Sequence, residues 1–331
     1  MTTIIPNLHD ILALCTARAH DAAGAVDDSA RRLFHGRGRL WPGFEQVCID
    51  GFLPLVLVTL FRPLAADVEQ ALLAGLVERL APLGMSCLAV QRRDGPQTRF
   101  EVAYGELPAS SVAREHGLTF RIDPSRGQNL GFFLDMRHAR DWLRERAAGK
   151  SVLNLFAFTG AFSVVARAAG ASRVVNIDLS RPSLAIGRDN HRRNALSVDD
   201  IHFLDHDIFR SWSKLHRLGR YDIVVMDPPT LQKGSFVVEK DYGKVVRRFS
   251  KLLQAEADVL ACLNAPHLGE DFLDEQFARE LPGAARVARL LNPPEFADID
   301  AQAALKVVHY RYVRPAGLPS LAVDSSTDGD D

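Results

Sequence analysis

From about residue 150 onward, short apolar runs and amphipathic stretches take turns along the chain, and each apolar run closes on a polar or glycine-bearing turn. The order is strand SVLNLFAF, helix AFSVVARAAG, strand RVVNIDL, helix PSLAIGRDNHRRNA, strand IHFLDHD, helix FRSWSKLHRLG and strand YDIVVMD. The β-rich runs are too short to be helices, so the alternation predicts crossover connections around a mostly parallel sheet. A long helix through EKDYGKVVRRFSKLLQAEA, a strand DVLACLNA, a helix from about Glu270 to Glu280 and two final strands around RVARLL and ALKVVHYRYV complete it.

The first part of the chain has a different rhythm. LHDILALCTARAHDAA reads as a peripheral helix. FEQVCIDGFLPLVLVTLF, from Phe44 to Phe61, reads as two strands broken near Gly51. A helix in ADVEQALLAGLVERLAPLG follows, then strands in MSCLAVQRR and TRFEVAYG. Strand, strand, helix, strand, strand makes a small α+β domain without a visible catalytic constellation. LTFRID is a further strand, and SRGQNLGFFLDMRHARDWLRERAAG a loop leading into a helix that Gly149 ends. The expected division is a helical segment over 1–30, the small domain over 31–112, the α/β domain over 113–318 and a disordered acidic tail over 319–331.

Composition narrows the class. At 331 residues the chain has room for two domains, and 47% hydrophobic content fits a globular protein. Without an apolar run of about eighteen residues or a basic and apolar leader, the expectation is a soluble, cytoplasmic protein that engages no membrane. Cys15, Cys48, Cys87 and Cys262 are widely spread, which argues against a disulfide scaffold or a structural metal. The formal net charge of −1 gives no overall pull toward a polyanion. Any nucleic-acid contact therefore depends on local basic groups, such as those of RRLFHGRGRLW, NHRRN and KVVRR.

Open α/β sheets bind ligands beyond the carboxyl ends of their strands, and that is where the candidate chemistry lies. After the first strand, Thr159 and Gly160 sit at the turn into a helix, where a glycine leaves room for a ligand beside free backbone N–H groups. The second strand ends at Asp178, suited to accept both hydroxyls of a ribose, or to act as a carboxylate at a helix start ahead of Pro182. The third delivers Asp205 and Asp207, of which Asp207 is suited to an adenine amino group. The fourth runs straight into Asp227, Pro228 and Pro229, either a structural loop or the floor of a reaction site. Four successive strand ends carrying groups suited to one nucleoside outweigh any one of them.

The segment from GQNLGFFLDMRHARDW through NLFAFTGAFS, NIDLS, LDHDIF and DPPTLQKGSF resembles the class I S-adenosylmethionine-dependent methyltransferases that act on large-subunit ribosomal RNA. The likeness covers residues from about 115 to 315, and the preceding small domain is similar to the central domain of those enzymes. It implies a Rossmann-like domain with S-adenosyl-L-methionine (SAM) as cofactor and ribosomal RNA, or a precursor ribosomal particle, as partner. The N-terminal RNA-binding module usual in that family is not expected within the first thirty residues. By the same likeness the methionine part of the cofactor lies near Asn154, Phe156, Phe158, Thr159 and Gly160. Asp178 takes the ribose, Asp207 the adenine amino group, and Ile208 or Leu179 packs on the base. Asp227, Pro228 and Pro229 resemble the acidic or amide residue and paired prolines that amino-methylating enzymes place beside the target base. Gln128, Asp135, Arg137 and Lys233 are the candidate substrate contacts, with a salt-bridged turn as the alternative for Arg137.

The target atom follows from the cysteines. Carbon-5 methylation of a pyrimidine generally needs a thiolate, whereas a ring nitrogen or amino group needs none. Cys262 lies in an apolar run and reads as a core thiol. By resemblance, Asn264 stands where carbon-5 enzymes carry their cysteine. A base nitrogen, with guanine among the candidates, is therefore the expected acceptor. A methyltransferase of proteins or small metabolites and a noncatalytic RNA-assembly factor are the competing readings. A nicotinamide oxidoreductase is weaker, because NLFAFTGAFS lacks the close-spaced glycines that a pyrophosphate requires.

Overall fold

The computed structural model describes residues 7–20, 28–125, 129–232 and 234–316. Gln128, Lys233 and the acidic tail lie outside the described residues. The chain divides into two compact units. The first takes 1–138 together with 188–195 and 292–304, and the second takes 139–187, 196–291 and 305–331.

In the first unit, helix α1 (Leu8–Arg18) and helix α2 (Ala66–Leu80) pack together beside a five-stranded sheet. Its strands β1 (Arg31–His35), β2 (Val47–Phe52), β3 (Leu55–Leu60), β4 (Cys87–Arg92) and β5 (Arg99–Tyr104) lie in chain order. Only β3 and β4 run parallel, because α2 carries the chain back between them. Ile11, Leu12, Leu72, Leu76, Val56 and Val58 belong to its core. A hairpin follows, of β6 (Val112–Glu115) and β7 (Leu118–Arg121).

Two features differ from the sequence reading. Strand β1 was not expected, since two leading arginines hide its apolar centre; Leu33 and Phe34 are buried, and Arg32 is held by the buried Asp50 of β2. Gly51 does not break the strand pair either. It sits within β2 opposite Val56, and the turn falls at Leu53 and Pro54.

The second unit is built on a seven-stranded sheet among the described residues. Helix α3 (Arg137–Arg144) leads toward β8 (Ser151–Leu155), α4 (Ala161–Ala168), β9 (Arg173–Ile177), α5 (Arg181–Arg193), β10 (Ile201–Leu204), α6 (Trp212–Arg217) and β11 (Tyr221–Met226). A small hairpin of β12 (Leu231–Gln232) and β13 (Phe236–Val237) precedes α7 (Val238–Val246), α8 (Phe249–Leu252) and β14 (Leu253–Leu263). Helix α9 (Glu270–Glu280), β15 (Ala284–Leu290) and β16 (Lys306–Val313) complete it. The order is β10-β9-β8-β11-β14-β16-β15, parallel as far as β14 and antiparallel beyond.

The long helix expected through residue 257 is corrected by the structure. Helix α7 ends at Val246, α8 is a single turn, and the chain is extended from Leu253. Glu256 and Asp258 point the same way on β14, where both meet Arg311 of β16. Pairing across the sheet thus overrides the helical preference of QAEA.

Candidate active site at the carboxyl ends of the strands

Register brings the strand ends into one row. Leu155 of β8 pairs with Ile177 of β9 and Met226 of β11, and Ile177 pairs with Leu204 of β10. The next residues, Phe156, Asp178, Asp205 and Asp227, therefore leave the sheet side by side. Strand order reverses between β8 and β11, the switch point at which such sheets open a crevice.

The loop after β8 is strained. Phe156 has φ 57°, Phe158 has φ 49° and Gly160 has φ 69°. For the two phenylalanines this left-handed backbone costs about 1–3 kcal/mol each and persists only where the surroundings impose it. Asp178 supplies part of that imposition. One of its oxygens accepts from the Phe158 N–H at 2.8 Å and the other from the Ser180 N–H at 2.7 Å. The carboxylate thus ties the β8–α4 loop to the start of α5. Each of its oxygens has a second acceptor position, so the group retains capacity for a vicinal diol.

Asp207 works in the same manner, its Oδ1 accepting from the Phe209 N–H at 2.8 Å at the start of a short 3-10 turn. Beside these acids, Leu179 is exposed whereas Ile208 is turned into the core. Thr159 and Gly160 are buried. Asn154 points into the sheet instead of toward the loop. It is 1% exposed, and its amide donates to Asn176 Oδ1 at 2.9 Å, while Asn176 donates to Ser163 Oγ of α4 at 2.9 Å. A contact from its side chain to a ligand is not what this geometry offers; it braces β8 against β9 and α4.

Asp227 and Pro229 are partly exposed and Pro228 is buried. The next residue, Thr230, donates from its hydroxyl to the carbonyl oxygen of Asn264, and its own carbonyl accepts from the Val238 N–H at 3.1 Å. The loop after β11 is thereby joined to the exposed end of β14 and to the start of α7. Phe236 of the intervening hairpin meets Phe156 edge-on at 5.1 Å, which brings that hairpin against the strained loop. Cys262 is fully buried within β14. All four cysteines are buried; burial pushes the Cys15 thiol up to about 12 and raises those of Cys48 and Cys87.

Asp135 and Arg137 belong to the first unit. There Arg137 Nη2 donates to Glu295 Oε1 at 2.6 Å, and Asp135 lies within electrostatic reach of Arg32. The salt-bridged turn is the arrangement seen. Sequence reasoning missed Lys306, which is fully buried and donates from Nζ to the carbonyl oxygens of Ala265 at 2.9 Å and Leu268 at 2.6 Å. It holds the loop that follows Asn264. A lone lysine within ALKVVHYRYV was the available signal, because a buried ammonium must be matched by acceptors. Also missed was the contact of His267 with Glu239 Oε1 at 2.6 Å, which joins that loop to α7.

Among the described residues no helix is long and apolar enough to cross a membrane. The S-adenosylmethionine-dependent methyltransferase family matches residues 31–311, and the chain belongs to that family. It is a class I SAM-dependent methyltransferase on a Rossmann-like α/β fold, and SAM is its cofactor. A protein from Aeromonas hydrophila subsp. hydrophila named ribosomal RNA large subunit methyltransferase I is 38% identical over 194 residues, 56% of this chain and 49% of that one. Its counterpart from Aeromonas salmonicida is 32% identical over 193 residues, 56% of this chain and 48% of that one. The chain thus spans about half the length of these curated relatives. Among solved structures, one assigned as a methyltransferase and complexed with SAH superposes with a TM-score of 0.81 at 25% identity, covering 94% of this chain and 83% of the other. A Streptococcus mutans protein assigned as a SAM-dependent methyltransferase gives 0.79 at 26% identity with the same coverage.

The residues present fit the cofactor. Two carboxylates at adjacent strand ends keep acceptor positions for hydroxyl and amino groups, and a constrained loop lies beside them.

Proposed function

We propose that this chain methylates a base nitrogen of RNA, with large-subunit ribosomal RNA, free or in a precursor ribosomal particle, as substrate and guanine among the candidate bases. The observation that carries this reading is the end of β14, where Cys262 is fully buried and the exposed residue is Asn264. A pyrimidine carbon needs a nucleophile added to the ring before it attacks, whereas a ring or amino nitrogen brings its own electron pair. Such a nitrogen needs alignment with the methyl group and exclusion of water. The Aeromonas relatives, named for large-subunit ribosomal RNA, support the choice of substrate.

In this reading Asp178 receives the ribose hydroxyls on the acceptor positions its N–H partners leave open, and Asp207 receives the adenine amino group. Leu179 supplies the apolar contact to the adenine, with Ile208 as support beneath it. Phe156, Phe158, Thr159 and Gly160 shape the place of the methionine part, and Asn154 keeps their strand in position. SAM, when bound, supplies an electrophilic methyl group. Asp227 accepts an N–H of the target base or takes the proton released on transfer, while Pro228 and Pro229 hold it at that height. Asn264, fixed through the Thr230 hydroxyl, borders the base. Gln128, Lys233, Asp135 and Arg137 remain proposed substrate contacts; for Arg137 the ion pair with Glu295 would have to open.

Incubation of the protein with labelled SAM and large-subunit ribosomal RNA lacking modifications, followed by nucleoside mass spectrometry, tests the reading. An N-methylated base is the expected product. A carbon-5-methylated pyrimidine would overturn the choice of atom, and label transferred only to protein or metabolite would overturn the choice of RNA.

A further inference from the structure

We propose that the end of the small sheet around Phe61 is a docking surface for the phosphodiester backbone of RNA, with Arg37 as its principal contact. The inference rests on the RNA reading above and identifies where the first unit engages that partner.

The first observation is charge left over after pairing. Arginines are frequent in this unit, and several face an acid: Arg32 faces Asp50, Arg39 faces Asp298, and Arg92 faces Glu69 and Glu101. Arg37 and Arg62 are exposed and make no ion pair among the described residues. Arg93 is partly buried, with Nε donating to Gln91 Oε1 at 2.6 Å.

The second observation is rigidity. Arg37 stands between Gly36 and Gly38 in a short turn whose backbone is packed from both sides. A Cβ on Gly36 would collide with the carbonyl oxygens of Phe44 and Val47, and one on Gly38 with that of Ala297. The guanidinium itself lies over the Phe61 ring, 4.5 Å from its centroid, and that of Arg93 lies 5.6 Å from the same centroid. An arginine stacked on a ring gives up less freedom when it binds, and its planar fork matches a phosphate in two-point contact.

The electrostatics agree. His35 is pulled down to about 3, first by burial and then by Arg32 and Arg37, with Asp298 opposing. It therefore stays neutral beside the arginines. Arg93 is lowered by burial first, with Asp50 opposing and Arg37 and Arg32 adding to the fall. An incoming anion relieves that repulsion. A guanidinium lying over a ring leaves its outer face to a nucleobase and its N–H edge to a phosphate, two groups that single-stranded RNA carries together and an acidic peptide does not.

Anisotropy of a fluorescent single-stranded transcript of large-subunit ribosomal RNA, titrated with the full chain at several KCl concentrations, tests this. Arg37→Gln should raise Kd about 5- to 10-fold and reduce the salt slope by about 1, as expected for one lost phosphate contact. Lys251→Gln, the same charge change at an exposed site of the second unit, should shift Kd less than about 2-fold. SAM affinity by calorimetry should be unchanged in both. Wild-type RNA affinity and slope in Arg37→Gln, equal weakening by Lys251→Gln, or equal competition by polyglutamate would overturn the proposal. Binding that depends on Arg37 while no RNA becomes methylated would uphold this surface and count against the acceptor alone.

Discussion

In the second unit Asp178 and Asp207 accept from the backbone N–H groups of Phe158, Ser180 and Phe209, whereas in the first unit Asp50, Glu69 and Glu295 each face an arginine. The two kinds of partner leave the acid in different conditions. A backbone N–H takes one acceptor position and leaves the carboxylate charge unneutralised. An arginine neutralises the charge and, where it grips both oxygens, uses much of the acceptor capacity. Asp178 and Asp207 are thus positioned and still available, while the acids of the small sheet are consumed in holding it together. Positive charge does remain unspent in the first unit, and Arg37 and Arg62 carry part of it beside Phe61.

The largest effect that would break this comparison lies at Asp227. If its carboxylate is available to the acceptor base, Asp227→Ala should lower single-turnover methyl transfer on the order of 10²- to 10⁴-fold while SAM affinity changes little. Asp227→Asn separates the two roles. Retained rate in Asn with loss in Ala means orientation, and loss in both means proton transfer. Near-normal turnover in both folded variants would return the loop to a structural role.

Asp178 should show the next largest effect, on binding. Charge-assisted acceptors are worth about 1.5–3 kcal/mol each, so Asp178→Ala should weaken SAM affinity roughly 10- to 150-fold by calorimetry. Some loss of stability should accompany it, because the Phe158 N–H loses its partner within a strained loop. The contrasting variant is Asp50→Asn. It leaves Arg32 half-matched in the small sheet and should lower thermal stability without touching SAM affinity. Equal loss of SAM affinity in the two variants would erase the distinction between available and consumed acids.

A smaller effect, dependent on pH, belongs to His35. Unfolded, it takes up a proton near 6.5; folded, burial and then Arg32 and Arg37 hold it neutral down to about 3. Between those values the unfolded chain binds the extra proton. The stability it contributes is therefore complete above about pH 6.5 and declines as pH falls toward 3. His35→Gln should flatten the fall in Tm between about pH 7 and pH 4.5, measured by calorimetric scans. An unchanged slope would mean that folded His35 takes up its proton as readily as the unfolded chain does, against both its burial and its cationic neighbours.

How much of this was legible in the sequence depends on which force fixed each residue. The β/α alternation and the polar strand ends could be read because short apolar runs and their terminating acids are local signals. Strand β1 could not, because its register is set by Arg32 meeting Asp50, eighteen positions away along the chain. The first half of β14 was hidden for a similar reason, its acids being matched to Arg311 from the last strand. Asn154 illustrates a different limit. Its place at a strand end suggested a ligand contact, but the pleat turns it toward Asn176, its direct partner in register. The paired asparagines in NLF and NID were visible, and only the pairing of β8 with β9 gives them meaning. Gln128 and Lys233 lie outside the described residues, so their proposed contacts stand on the sequence alone.

The smallest expected effect, and the sharpest on the choice of atom, is at Cys262. Its residue is fully buried in β14, and its backbone carbonyl accepts from the Tyr242 hydroxyl at 3.2 Å, a bond that survives any change of side chain. Cys262→Ala should therefore cost on the order of 1 kcal/mol of stability from lost packing and leave turnover within about 2-fold. A carbon-5 enzyme deprived of its thiolate could not form the ring adduct at all. Cys262→Ser is the companion variant, since it places a hydroxyl in the same apolar setting and should cost more in folding than Ala does. Methyl transfer that survives in Ala and falls in Ser only as far as folding falls means that the thiol packs and does not react. Abolished transfer in a folded, SAM-binding Ala variant would reverse the assignment: the end of β14 would then rearrange to bring Cys262 to the base, and Asn264 would border a pyrimidine carbon in place of a nitrogen.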